Sequence, residues 1–502
     1  MRKIAVFVMV ALLGGPVLFA GGRGQSAAPA GQRSITVMVP SMGPVPRGRP
    51  EVESAINEIM APHGIRVNLN IVEVGSWAST LPMMLASQEK IDLLLLVSIP
   101  VTSFNNMVSQ NQLMDITDLV ARHGQDLSRT MQNVIPDFLE GTKVNGRLMA
   151  VPGLFNKVNS YYYLARADLL DKYGVDIYGL KSMDDIEAVL QKVRAGEPSL
   201  APLVGQVEGT VMNYETPLGT FSGYINMESL GDNVSYVFLN NPWQVVNYFK
   251  TDTFRDRVYK ARDWYQKGYI YRDAMINQEM PEELVKSNKG FSWFMDSELG
   301  IEAAKSAQTG KQIRAVNVHD NPLTTSLMTK FAWGVPSYSK EGEAAIQFLN
   351  QLYSRADLSR LLTWGIEGRD YIVKADGTAA YPPGLTAQTV PYRQMDFLGA
   401  NQFLVPPWEG NPPDLRTTAL KQNQAAPASP LLGFSYDLAP VTLELTAITN
   451  VINEYGPGLN SGAIDPAEVL PRFLKALDDA GAEKLVAEAQ RQLNAWRAAA
   501  GK

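Results

Sequence analysis

Catalysis needs nucleophiles, general acids or metal ligands at close spacing, and this sequence offers few of them. Its three histidines, His63, His123 and His319, lie far apart, and none has a ligand-spaced partner. No Gly-x-Ser-x-Gly elbow is present. Gly310-Lys311 is followed by glutamine, which breaks the phosphate-loop pattern, and Gly456, Gly458 and Gly462 are misspaced for a dinucleotide turn. The acidic pairs Asp184-Asp185, Glu282-Glu283 and Asp478-Asp479 fall where solvent-facing helix positions are expected. Asp296 and Glu298 differ, because they follow the apolar run Phe291-Ser-Trp-Phe-Met295 and so sit beside a wall. Two carboxylates flanking a sugar are the machinery of glycoside hydrolysis. A secreted carbohydrate-active enzyme is therefore the second function class to weigh. Cysteine is absent, which removes disulfides, thiolate metal sites, cysteine catalysis and a lipid-bearing N-terminal cysteine. Nothing implies a cofactor or a metal.

The positive chemical signal is aromatic. Sugar rings present C–H faces that stack on Trp and Tyr, while their hydroxyls need a few fixed polar groups. Open α/β sheets bind ligands beyond the carboxyl ends of their strands. The elements that would create such ends are legible. Ile35 to Val39 reads as a strand, and Glu51 to Ala61 as a helix with Val52, Ala55, Ile56 and Ile59 on one face. Ile65, Val67, Leu69 and Ile71 alternate with polar residues, and Ile91 to Val97 is an aliphatic run of the kind covered on both faces. Strand, helix, strand, helix, strand predicts a parallel sheet in an α/β lobe. Its strand ends nominate Ser41 and Met42, Ser76 and Trp77, and Ser98 as ligand-binding residues. A second set, Tyr161, Tyr224, Trp293, Asp296, Trp408 and Tyr436, would face them from the other lobe, with Trp333 at a crossover.

At 502 residues the chain is long enough for two domains with separate cores. A net charge of −6 argues against a nucleic-acid partner. Arg2 and Lys3 precede a short apolar run from Ile4 to Leu13, then Gly14-Gly15-Pro16 and the small residues Ala20-Gly21-Gly22. That is the pattern of a cleavable signal peptide over residues 1–22, cut between Ala20 and Arg23, with a flexible lead-in at 23–33. The expectation is a periplasmic product without a lipid anchor. Residues 376–430 are proline-rich with little periodicity, a length of loop that is often functional.

From Lys330 to Val373 two strand-like edges enclose a helical pair, with Ala345, Ile346, Leu349, Leu352 and Tyr353 at helical spacing and Gly365 at the cap position. This stretch, including Trp364-Gly-Ile-Glu-Gly-Arg-Asp-Tyr371, resembles bacterial extracellular solute-binding proteins of ABC importers. The likeness is to a family-1-like, large-lipoprotein branch with its own C-terminal region. Leu85-Ala-Ser-Gln-Glu-Lys-Ile-Asp-Leu-Leu94, Leu113-Met-Asp-Ile-Thr-Asp-Leu119, Tyr161 to Gly174 and Gly433-Phe-Ser-Tyr-Asp437 resemble further landmarks in the same order. The resemblance implies two lobes, each a mostly parallel sheet flanked by helices, joined by three crossovers. Lobe 1 would comprise 34–153 and 333–370, and lobe 2 would comprise 158–328 and 374–502. It also implies a monomer that binds a carbohydrate in the cleft, closes on it, and presents it to permease subunits. Arg393 and Lys157, which an acidic sugar would need, read as solvated surface.

Overall fold

The computed structural model describes residues 32–97, 102–158, 160–205, 227–277, 279–297 and 299–502. The signal-like segment, Ser98, Tyr224 and Glu298 lie outside these. The first sheet forms as its periodicity predicts. Strand β1 (Arg33–Ser41) leads through helix α1 (Arg49–Met60) to β2 (Ile65–Glu73), then through α2 (Val74–Ala86) to β3 (Leu93–Leu95). β1 pairs in parallel with β2, Arg33 opposite Ile65, and with β3, Val37 opposite Leu93. In β2 the apolar alternates are buried and the polar ones half-exposed, so one register alone buries the apolar set.

The second sheet is built from β4 (Ser160–Arg166), β5 (Ala201–Leu203), β9 (Gly290–Ser297) and β10 (Ile313–Asp320), in the order β10-β4-β9-β5. Here the expectation of a mostly parallel sheet needs correction. β4 is antiparallel to both β9 and β10, and only β5 and β9 run parallel. Apolar runs look alike in either direction, so direction depends on where the chain re-enters the sheet. That is set by the long insertion between β5 and β9. The insertion contains a small antiparallel meander, β6 (Met227–Ser229), β7 (Ser235–Phe238) and β8 (Asn241–Asn247).

β11 (Trp333–Gly334) then joins the first sheet antiparallel to β3, before the paired helices Gly342–Ser354 and Ala356–Trp364. In the first of these every residue expected on the core face is buried. Three C-terminal helices, Thr442–Ser461, Pro466–Asp479 and Ala482–Ala499, pack their apolar faces with the meander into a core of their own. Asp465 caps the second of them by accepting from the Ala467 N–H, with Pro466 at its first position.

The chain does not leave the first core near residue 374. Tyr392, Leu398 and Ala400 are buried in the first core, together with residues from β1 to β3. Gly368 instead turns back on itself, its N–H bonding to the Tyr371 carbonyl. The late connection runs at residues 423–432. There the Asn423 side-chain oxygen Oδ1 accepts from the N–H groups of Lys157 (2.9 Å) and Val158 (3.2 Å), and Ser429 and Leu323 are bonded through their backbones. Lys157 is buried, not solvated. Its ammonium donates to the carbonyls of Leu327 (3.0 Å) and Lys330 (3.1 Å) and lies 3.6 Å from the Phe155 ring centre. Three chain segments that are remote in sequence are thus laced side by side.

Candidate ligand-binding cleft

The end of β9 and the start of helix α3 (Ile301–Thr309) face the proline-rich segment across a cavity of about 210 Å³. One wall presents Ser297, Leu299, Gly300, Ile301 and Ala304; the other presents Trp364, Arg393, Asp396, Gln402, Trp408 and Arg416. The two walls come close at Gly300, whose φ of 89° a residue with a side chain rarely adopts. A Cβ there would lie 2.5 Å from the Asn411 side-chain oxygen, so glycine is needed for the approach.

The second wall is an aromatic box. Trp408 lies edge-on to Trp364 (centroids 5.0 Å apart) and to Tyr381 (4.6 Å). The Arg393 guanidinium sits 4.3 Å from the Trp408 centroid, 5.2 Å from Trp364 and 5.6 Å from Tyr381. It donates to the Tyr381 hydroxyl at 2.6 Å. Behind the box, Arg416 is paired with Asp396 and donates from Nε to the Val405 carbonyl. The motif Trp364 to Tyr371 supports this wall from below. Trp364 donates its indole N–H to Pro406, and buried Asp370 accepts from the Ile366 N–H and from Arg369. Gly365 gives way for that carboxylate, since a Cβ would lie 2.3 Å from it.

Of the residues nominated from sequence, Trp408 lines this cavity. Asp296, near the end of β9, and Tyr161, near the start of β4, are register partners one position from the lining residue Ser297, and Asp296 is exposed. Trp77, Trp293, Trp333 and Tyr436 are buried in cores. Trp77 was expected in a loop, but α2 starts directly after β2, which puts Trp77, Leu81 and Leu85 on one inward stripe. Trp293 lies mid-strand in β9, between β4 and β5. Trp333 donates its indole N–H to the Gly399 carbonyl (2.9 Å), and the Tyr436 hydroxyl donates to Leu485. Ser41, Met42 and Ser76 stand at the ends of β1 and β2 and do not line the cavity. Sequence reasoning missed Trp364, Tyr381, Asp396 and Arg416, and placed Arg393 on open surface. The visible signal was the Trp364 motif and the aromatic content of the segment after it. Among the described residues no group of three or more His, Asp or Glu is placed to hold a metal ion.

Comparison with known proteins bears on this architecture. The family described as "Domain of unknown function (DUF3502)" matches residues 430–498, the C-terminal helices and the connection into them. A "Carbohydrate ABC transporter substrate-binding protein" of Streptococcus pneumoniae is 23% identical over 484 residues, covering 94% of this chain and 92% of its own. The crystal structure of the N-glycan transport solute binding protein NgtS of the same organism superposes with a TM-score of 0.77 at 20% identity, covering 92% of this chain and 98% of its own. The same protein in complex with Man1GlcNAc gives 0.67, with 92% and 99% covered. The chain has the two-domain α/β fold of periplasmic binding proteins, its sheets flanked by helices.

Proposed function

We propose that the protein is a solute-binding protein that captures a carbohydrate between its two α/β bodies and presents it to an ABC importer. The observation that carries this reading is the pair Trp364 and Trp408 on one wall of the cavity between the bodies, with Tyr381 packed against Trp408. Such rings match the C–H faces of sugars, and Gln402 and Asn411 add amides to the same lining. The full-length similarity to a carbohydrate substrate-binding protein supports it. Export to the periplasm without a lipid anchor, action as a monomer, and delivery to permease subunits complete the proposal. A thermal-shift screen against oligosaccharides tests it, because a ligand that binds only the native state raises the melting temperature. Stoichiometric binding with unchanged sugar is expected. Hydrolysed product would transfer the protein to the enzyme class, and no shift with any sugar would overturn the proposal.

A further inference from the structure

Taking the carbohydrate reading of the cleft as given, we infer that Arg393 selects a sugar bearing a carboxylate. The two arginines of this wall are built differently. Arg416 has its counter-ion in Asp396 and a second bond to Val405, so its charge is already answered within the protein. Arg393 has none. Its bonded acceptor is the neutral Tyr381 hydroxyl, its Nε is sealed from solvent without a partner, and it makes no ion pair among the described residues. Three rings hold the guanidinium in place, which fixes its planar fork before any ligand arrives. Facing it are Ser297, Leu299, Gly300, Ile301 and Ala304, none of which carries a charged side chain. Among the described residues, the charged groups of the lining are two arginines and one aspartate. A neutral glycan offers hydroxyls that an amide serves equally well. A preorganised guanidinium without a counter-ion suits the two oxygens of a uronate or sialate, which it can bind bidentately.

The test is calorimetric titration with uronate-containing di- to tetrasaccharides and sialyllactose, each beside its neutral counterpart of the same linkage. The wild type should prefer an acidic member by at least about tenfold, and the preference should shrink as salt is raised to about 0.5 M. Arg393→Gln should abolish the preference, lowering affinity for the acidic sugar at least about tenfold more than for its neutral counterpart. Arg393→Lys, which keeps the charge and loses the fork, should retain part of it. Unliganded melting temperatures establish that both variants fold. Equal or better binding of neutral sugars by the wild type overturns the inference and leaves the carbohydrate reading standing. So does an equal loss for both classes in Arg393→Gln. Absence of binding to every sugar overturns both.

Discussion

Two tryptophans show how differently one residue type acts at the residue scale. Trp77 is fully buried on the inner stripe of α2. Trp77→Ala should cost about 3–5 kcal/mol of unliganded stability, the range for emptying an aromatic core site. A denaturant titration checks this, and a loss of under about 1 kcal/mol would place the indole outside the core. Trp408 is half-buried at the cavity. Trp408→Ala should weaken sugar binding by about 1–3 kcal/mol with a smaller effect on stability. Glu228 supplies a pH signature. Its carboxyl is buried, accepts a bond from Ser429, and burial pushes it up to about 7 from an ordinary 4.5. Between those values the folded state holds a proton that the unfolded state has released. Raising pH through this window therefore removes stability, by about 3 kcal/mol at most. Glu228→Gln should flatten the decline in an unfolding series from pH 4.5 to 8; an unchanged slope would place its source elsewhere.

Among elements, the informative ones are those without regular structure. The connection at residues 423–432 starts on the last turn of the helix Leu415–Ala425 and continues without regular structure, and its role comes from what it bonds. Asn423 accepts from two buried main-chain N–H groups of the 156–158 segment. Asn423→Ala removes the acceptor these two N–H groups share, leaving Val158 its bond to the Asn156 side chain, and should cost about 1–2 kcal/mol, read as a fall in melting temperature. A change within about 0.5 kcal/mol would mean that water replaces the amide. The same logic explains Gly399. Its φ of 85° and the Trp333 ring 2.5 Å from a notional Cβ hold the proline-rich segment against the first sheet. This segment was expected to belong to the second lobe, because loop composition carries no address. Long-range contacts supplied it.

For the whole molecule, the proposed function would have two bodies move on narrow connections. Lys157 ties two of these connections to one another, while the third bonds to the main chain of Lys157 and Val158. Rotation concentrated there would close the walls of the cavity on a ligand, as hinge-type binding proteins do. Ligand drives closure only through its preference for the closed state. Small-angle scattering with a confirmed sugar should show a smaller radius of gyration than without it. Tight binding with no decrease would exclude closure from this conformation.

What the sequence determined by itself was local and periodic. The alternation in Ile65 to Ile71, the aliphatic run at Ile91 to Val97 and the helical spacing of Ala345 to Tyr353 each fix an element and the face it buries. Burial of one face follows from a period of two or 3.6 within a single element. Tertiary structure decided what the aromatics do and which way the second sheet runs. Trp77 and Trp408 each adjoin a glycine and polar residues in the sequence, yet one is core and the other lines the cleft. The difference lies in what the chain folds around each: the first core around Trp77, and Trp364, Tyr381 and Arg393 around Trp408. Arg393 reads as surface until Trp364, Tyr381 and Trp408 are brought around it. No periodicity encodes such a meeting, because it depends on how the connections fold back over the sheets.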